Sequence, residues 1–164
     1  MKRLCLILFL AVVSCQRPWE DMNERLVFNP KNDTVNYYLG GLLYLDGRLT
    51  EAEPYLRRAT ELNPLNPDAH RYLGRLLMDQ GELSEAETEL LRAVFLNPKH
   101  SDARTDIGTV YMLTGRDSAA VAEWKEAISI DPDNYLAHYN LGGLVIQAGA
   151  QTREGNACFL IRWL

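Results

Sequence analysis

The sequence predicts an all-α solenoid built from repeated pairs of helices. The first observation is a period of 34 residues, marked by the dipeptides Asn63-Pro64, Asn97-Pro98 and Asp131-Pro132, with Asn29-Pro30 one period upstream. The second is a set of small residues that keep the same period: Gly40, Gly74, Gly108 and Gly142; Gly47, Gly81, Gly115 and Gly149; Ala52, Ala86 and Ala120; and Ala59, Ala93 and Ala127. A fixed period of this length is typical of stacked supersecondary units, which bury a core only against their neighbours.

Each unit is predicted to contain two helices. In the best-marked unit, Asn66-Pro67-Asp68 indicates the start of the first helix, because proline suits the first turn and aspartate faces the positive end of the helix dipole. Gly81 ends that helix, and the segment Ser84–Glu87 is predicted to be a capping box that begins the second. Gly74 and Ala86 are small enough to let the two helices approach closely.

These residues carry a family resemblance. The order Leu73-Gly74, Leu77, Gly81, Ala86, Leu90, Ala93, Pro98 resembles the tetratricopeptide repeat. The units at 33–66 and 101–134 fit the same pattern, with Trp124 in the slot that Leu56 and Leu90 fill. The resemblance implies a right-handed solenoid whose first helices line a concave surface.

The chain is therefore divided into six segments. They are a signal peptide at 1–14, a lipidated N-terminus and capping helix at 15–32, three repeats at 33–66, 67–100 and 101–134, and a partial or degenerate fourth repeat with an apolar tail at 135–164.

The N-terminal segment has the pattern of an export signal. Lys2 and Arg3 precede the apolar run Leu4–Val13, which would rise only about 15 Å as a helix, against about 30 Å for a bilayer core. Val12-Val13-Ser14-Cys15 then resembles the lipobox of bacterial lipoproteins, which implies cleavage before Cys15 and its acylation. Gln16 in place of aspartate favours the outer membrane, with the protein facing the periplasm. The alternative is an ordinary signal peptide with an incidental cysteine.

The C-terminal segment departs from the repeat. After Gly149 the pattern requires alanine at positions 154 and 161, whereas the sequence has Glu154 and Ile161, followed by an apolar end at Trp163-Leu164. Three interpretations remain open: a docking helix for a partner, a partly formed fourth unit, or a truncated or misread end.

Composition and motifs exclude several function classes. The chain has 164 residues and a net charge of −5, from 17 Lys and Arg against 22 Asp and Glu, without a basic run that would suit nucleic acid. No set of His, Cys or carboxylate residues has metal-ligand spacing, and there is no phosphate-binding loop. The sequence therefore predicts no enzyme activity, no cofactor and no metal site.

His70 and His138 share one repeat position and are interpreted as packing residues.

The candidate site is the surface lined by first helices, as the family resemblance implies. Its predicted protein-binding residues are Tyr37, Tyr44, Arg71, Arg75, Met78, Thr105, Thr109, Met112 and Tyr139, accompanied by Gly41, Leu45, Asp79, Gly143 and Ile146. Aromatic and methionine side chains beside two arginines suit a peptide groove. The clamp with which chaperone-binding relatives hold a C-terminal carboxylate is missing, because Tyr37 and Gly41 stand at its first two places.

Two roles remain open for the arginines, and two for the protein. Arg71 and Arg75 either recognise an acidic partner or pair locally with Asp68 and Asp79. The whole chain is predicted to be a lipid-anchored periplasmic adaptor that binds a protein or peptide partner, within an envelope complex serving pili, secretins or the cell wall. The alternative is a structural subunit of an envelope assembly that self-associates through its C-terminal tail.

Overall fold

The computed structural model describes residues 31–154, with side chains through residue 146. Within this range the chain forms seven α-helices and no strand, which confirms the predicted all-α class. The helices are α1 (Asp33–Leu45), α2 (Leu49–Leu62), α3 (Pro67–Gln80), α4 (Leu83–Leu96), α5 (Ser101–Leu113), α6 (Asp117–Ile130) and α7 (Tyr135–Glu154). The predicted signal peptide, Cys15, the leading capping helix and residues 155–164 lie outside the described residues.

Three helix pairs, α1 with α2, α3 with α4 and α5 with α6, form the repeats. A glycine in each first helix permits the close approach. A Cβ atom at Gly74 would lie 2.6 Å from Cγ of Leu90 and 3.2 Å from the carbonyl oxygen of Ala86. The predicted contact between Gly74 and Ala86 is thus confirmed. Trp124 occupies the equivalent slot opposite Gly108 and is fully buried.

Left-handed glycines make the turn between the two helices of a repeat. Gly47, Gly81 and Gly115 have φ of 77°, 87° and 73°, a region that side-chain-bearing residues rarely adopt. The fourth glycine of this series, Gly149, lies inside α7, which continues to Glu154. Glycine permits the left-handed turn but does not impose it. The turn is stabilised where a second helix packs back, and the sequence places Glu154 where the earlier second helices have a buried alanine.

The helix starts follow the prediction for α3 but not for α4. Asn66 caps α3, and its side chain accepts from the backbone N–H groups of Asp68 and Ala69. The second helix α4 begins earlier than the predicted capping box, with Glu82 as its N-cap and no side-chain cap bond. The capping-box prediction at Ser84 was wrong because the helix already begins at its N-cap, Glu82, whose carbonyl accepts a hydrogen bond from the Ala86 N–H.

A recurring polar side chain ties α3, α5 and α7 to the turn that precedes each of them. Nε2 of His70 lies 3.0 Å from the carbonyl oxygen of Pro64, and the same position in α5 and α7 repeats this contact six residues downstream of Pro98 and Pro132. His70 is buried and also meets Glu89 through Nδ1 at 2.6 Å, which confirms its packing role. His138 is exposed, because no second helix packs on α7 within the described range.

The first helices form one layer of the solenoid. Helices α1, α3, α5 and α7 contact one another in succession, while α2, α4 and α6 each contact the first helix that follows. One side of the molecule is therefore built from first helices alone, and this is the side predicted to be concave. Among residues 31–154, no helix combines the length and apolar character needed to cross a bilayer.

Candidate functional site

The layer of first helices brings the predicted binding positions, except Thr105, onto one surface, together with a column that sequence reasoning did not select. We call this the first-helix surface. It consists of the predicted residues named above other than Thr105, the first-turn residues Asp68 and Asp102, and the additional column Tyr38, Tyr72, Asp106 and Asn140.

The additional column makes the contacts between neighbouring repeats. Tyr72 of α3 lies against Tyr37 and Gly41 of α1, which are 35 and 31 residues earlier. Asp106 of α5 lies against Arg71 and Arg75, at the same two separations. Tyr72 and Asp106 thus each fit between two residues of the preceding first helix.

The contact between α1 and α3 is aromatic. The ring of Tyr72 meets Tyr37 edge-on at a centroid distance of 5.7 Å and Tyr44 at 6.1 Å. The ring packs over Gly41, where a Cβ atom would lie at an ordinary contact distance of 3.7 Å from it. Edge-to-face pairs of this kind stabilise by about 0.5–1.5 kcal/mol beyond their buried area.

Two tyrosines of this aromatic contact are electrostatically perturbed. The hydroxyl of Tyr44 donates to Oδ2 of Asp79 at 2.8 Å. Burial, followed by that hydrogen bond, raises the pKa of Tyr44 to about 12. Burial, with a smaller contribution from the charge of Asp68, raises the pKa of Tyr37 to about 12. The α1 end of the surface therefore keeps both hydroxyls protonated near neutral pH, beside two carboxylates.

The contact between α3 and α5 is ionic. Nε of Arg71 donates to Oδ2 of Asp106 at 2.9 Å, and its guanidinium also lies 3.3 Å from Asp102. Nε of Arg75 lies 3.8 Å from the other oxygen of Asp106 and, among the buried polar side-chain atoms of the described residues, lacks a hydrogen-bond partner. Burial raises the pKa of Asp106, and the two guanidinium groups oppose that rise.

This network changes the interpretation of both arginines. The sequence left open a partner's carboxylate or local pairs with Asp68 and Asp79, but the ion pairs of both side chains run to the next repeat. The Asp106 side chain is 3% exposed and that of Arg71 is 13% exposed. Arg71 therefore serves first as a packing residue between repeats.

The contact between α5 and α7 is built from hydroxyl and amide groups. Nδ2 of Asn140 donates to Oγ1 of Thr109 at 3.1 Å, and Nδ2 of Asn134 donates to Oγ1 of Thr105 at 3.1 Å. Thr105 also donates to the carbonyl of Ser101 and is 1% exposed. It was predicted to bind a partner, but its short side chain lies beneath Asn134, so Thr105 does not reach the first-helix surface.

The remaining predicted residues divide by exposure. Met78 and Met112 are half-buried and pack against the hydrophobic core. Tyr139 is 75% exposed and Ile146 is 74% exposed. Gly142 is also exposed and has no atom within 4 Å of a built Cβ, unlike its crowded equivalents Gly40, Gly74 and Gly108. Apolar residues of α7 thus remain open to solvent in the described range.

Sequence reasoning missed Tyr72 and Asp106 because it compared positions within helices. The available signal was a separation of 35 or 31 residues, which is one residue more or three residues fewer than the 34-residue period, between complementary side chains such as Arg71 and Asp106. No cluster of three or more His, Cys, Asp or Glu residues suited to a metal ion occurs in the part of the chain that the structure describes.

The fold and the surface define a helical repeat scaffold whose first helices present an aromatic and polar surface. Family models described as tetratricopeptide repeat match residues 23–67 and 46–101, and one described as TPR repeat matches residues 108–149. The chain belongs to the tetratricopeptide repeat family, and its class of protein is the protein-interaction scaffold.

Solved structures share this architecture. The structure of MamA aligns with a TM-score of 0.72 at 23% identity, covering 88% of this chain and 84% of that one. YrrB, described as a TPR protein with an unusual peptide-binding site, aligns with a TM-score of 0.67 at 30% identity over 74% of this chain and 63% of its own. The first TPR of Spaghetti (RPAP3), bound to the HSP90 peptide SRMEEVD, aligns at 0.66 and 20% identity, covering 72% and 93%. No curated protein matches the sequence.

Proposed function

We propose that this protein is a lipid-anchored periplasmic adaptor that holds a segment of a protein partner on its first-helix surface. The observation that carries the binding role is the exposed aromatic and apolar content of that surface. Tyr38 is 53% exposed and Tyr139 is 75% exposed, on helices whose backbone is fixed by repeat packing. Rigid aromatic side chains are enriched at protein interfaces, because they contribute a large contact area at a small entropic cost.

The relatives support the same role. YrrB is described as having a peptide-binding site and the RPAP3 domain was solved with a peptide. Peptide recognition by the present chain would use the first-helix surface without a carboxylate clamp, since Tyr37 and Gly41 stand where such a clamp would require polar residues.

Partner capture tests the binding role. The full chain, with Tyr38→Ala and Tyr139→Ala together, should lose the partner that the unchanged chain retains from solubilised membranes. The matched control is Phe95→Ala, which removes an aromatic side chain that is 74% exposed on the second helix α4. Capture that is reduced equally by Phe95→Ala, or unaffected by the double variant, would remove the first-helix surface as the binding site.

Attachment to the membrane rests on the sequence Val12–Cys15. Cys15→Ala should leave unprocessed precursor that incorporates no labelled fatty acid, whereas the unchanged protein should be labelled and fractionate with membranes. Ser14→Ala supplies a control that keeps the cysteine. Labelling of the Cys15→Ala protein would exclude lipidation at this residue.

A self-associating structural subunit is the second candidate, and the exposed apolar residues of α7 favour it. Tyr135 is 80% exposed, and Val145 and Ile146 are also open to solvent. Deleting residues 155–164, or introducing Ile146→Glu, should then lower the mass measured by light scattering. A monomeric mass in the unchanged chain, the deletion variant and the Ile146→Glu variant would exclude self-association and leave the adaptor as the remaining candidate function.

A further inference from the structure

The charges of the first-helix surface are unevenly accessible. Its described residues carry two guanidinium groups, Arg71 and Arg75, and four carboxylates, Asp68, Asp79, Asp102 and Asp106. The Arg71 and Arg75 side chains are 13% and 29% exposed, whereas those of Asp68 and Asp102 are 53% and 56% exposed. Asp79 is exposed as well. A partner approaching this surface therefore meets carboxylates before it meets guanidinium groups.

Both arginines also already contact carboxylates and aromatic rings within the molecule. Arg71 is held by Asp106 and Asp102, and its guanidinium lies 5.6 Å from the centroid of the Tyr72 ring. The guanidinium of Arg75 lies 5.4 Å from the Tyr44 ring. To bind a carboxylate of a partner, either arginine would have to leave the buried carboxylate of Asp106, and an unpaired buried charge is strongly unfavourable.

The carboxylates, by contrast, are held in place while they stay exposed. The Tyr44 hydroxyl donates to Asp79 at 2.8 Å. Asp68 accepts from Nε2 of His100 at 3.1 Å, which fixes its position without burying it. An exposed carboxylate in a fixed position binds a lysine or arginine side chain through a charge-assisted hydrogen bond, and the exposed Tyr38 and Tyr139 add apolar contact area on the same surface.

We infer that the first-helix surface binds a protein segment in which lysine or arginine adjoins apolar residues, and that it rejects acidic segments and C-terminal carboxylates. The inference rests on the proposed function, since it specifies the partner of the same surface. It reverses the charge of the partner that Arg71 and Arg75 suggest when they are considered without their neighbours.

Selection from a library of short random peptides displayed on phage tests the inference directly. The bait is the full chain, and the counter-bait is the full chain with Tyr38→Ala and Tyr139→Ala, so that only peptides that need the first-helix surface are retained. We expect the retained sequences to be enriched in Lys and Arg beside aromatic or aliphatic residues. Retained sequences that are neutral or acidic would overturn the charge inference while leaving the proposed function intact. If no peptide depends on the surface, both fail.

A binding measurement then assigns the charge to particular residues. A selected basic peptide, labelled with a fluorophore, should bind the Asp79→Asn chain about tenfold more weakly than the unchanged chain, and a copy of the peptide with Glu in place of Lys and Arg should bind more weakly still. The matched control is Glu126→Gln, which removes one exposed negative charge from α6 on the outer layer and should leave the affinity unchanged. Equal losses of affinity in the Asp79→Asn and Glu126→Gln chains would show that only the net charge of the protein matters, and would overturn the inference.

Discussion

The contact between the first two repeats and the contact between the second and third use the same positions for opposite chemistry. In one, the Tyr72 ring fits between Tyr37 and Gly41; in the other, the Asp106 carboxylate fits between Arg71 and Arg75. The same backbone geometry therefore accepts either an aromatic ring or a carboxylate at the Tyr72 and Asp106 position, provided that the side chain complements its two neighbours. The two contacts differ in the stability lost when one side chain is removed. Removing a residue from the aromatic contact costs only its packing, whereas removing one partner of the buried ionic contact also leaves an unpaired charge.

Breaking the ionic contact should give the largest effect. Asp106→Ala leaves Arg71 without its buried partner, and we expect the free energy of unfolding to fall by about 3–5 kcal/mol. Chemical denaturation followed by circular dichroism measures the change. Asp102→Ala is the matched control, because this aspartate contacts the same arginine but is 56% exposed, and its loss should cost less than about 1 kcal/mol.

An apolar replacement separates burial of a charge from loss of packing. Combining Arg71→Met, Arg75→Met and Asp106→Leu converts the ionic contact into an apolar one and should recover most of the stability lost in Asp106→Ala, because no charge remains unpaired. If the triple variant is as unstable as Asp106→Ala, lost packing rather than an orphaned charge explains the loss.

Breaking the aromatic contact should give an intermediate effect. Tyr72 is only partly buried, so Tyr72→Ala should cost about 2 kcal/mol, below the range for a fully buried aromatic residue. The loss should not depend on salt concentration, since no ion pair is removed. Tyr38→Ala, on the same repeat position but 53% exposed, should cost clearly less. A larger loss in Tyr38→Ala than in Tyr72→Ala would contradict the assigned contact.

The smallest effect concerns the hydroxyl that joins the aromatic end to Asp79. Tyr44→Phe removes the hydrogen bond at 2.8 Å and should cost about 1 kcal/mol near neutral pH. Because the pKa of Tyr44 and that of Tyr37 are raised to about 12 in the folded protein, the folded state retains these protons more strongly than the unfolded chain. Their contribution is complete below the ordinary pKa of about 10 and is lost as pH rises through about 12.

Denaturation midpoints measured at several pH values across that window check the sign. The unchanged protein should lose stability more steeply with rising pH than a Tyr37→Phe, Tyr44→Phe variant. Parallel pH profiles for the two proteins would show that neither hydroxyl is perturbed by folding.

Much of the scaffold could be predicted because it depends on local chemistry. Asn66 caps α3 and Gly81 adopts φ of 87°, as their positions in the sequence predict. Trp124 fills the slot of Leu56 and Leu90 because each faces a glycine of the paired helix. These features need only the residues of one repeat, so a periodic sequence displays them directly.

Other features could not be predicted in this way. Gly149 marks the same repeat position as Gly81, yet α7 passes through it, because the turn depends on a second helix packing back. Thr105 shares its position with the exposed Tyr139 but is buried beneath Asn134. Exposure at a repeat position thus depends on the side chain that the next repeat places over it.

The sequence by itself determined the repeat and, in its three complete units, the helix boundaries within a turn, because helix propensity, capping and small-residue packing act over short distances along the chain. Only the tertiary structure decided which charges of that layer reach solvent. Arg71 and Asp106 are 35 residues apart, and each looks like a surface residue in its own helix. Stacking of the repeats brings them together and buries the pair, which leaves Asp68, Asp79 and Asp102 to give the surface its accessible charge.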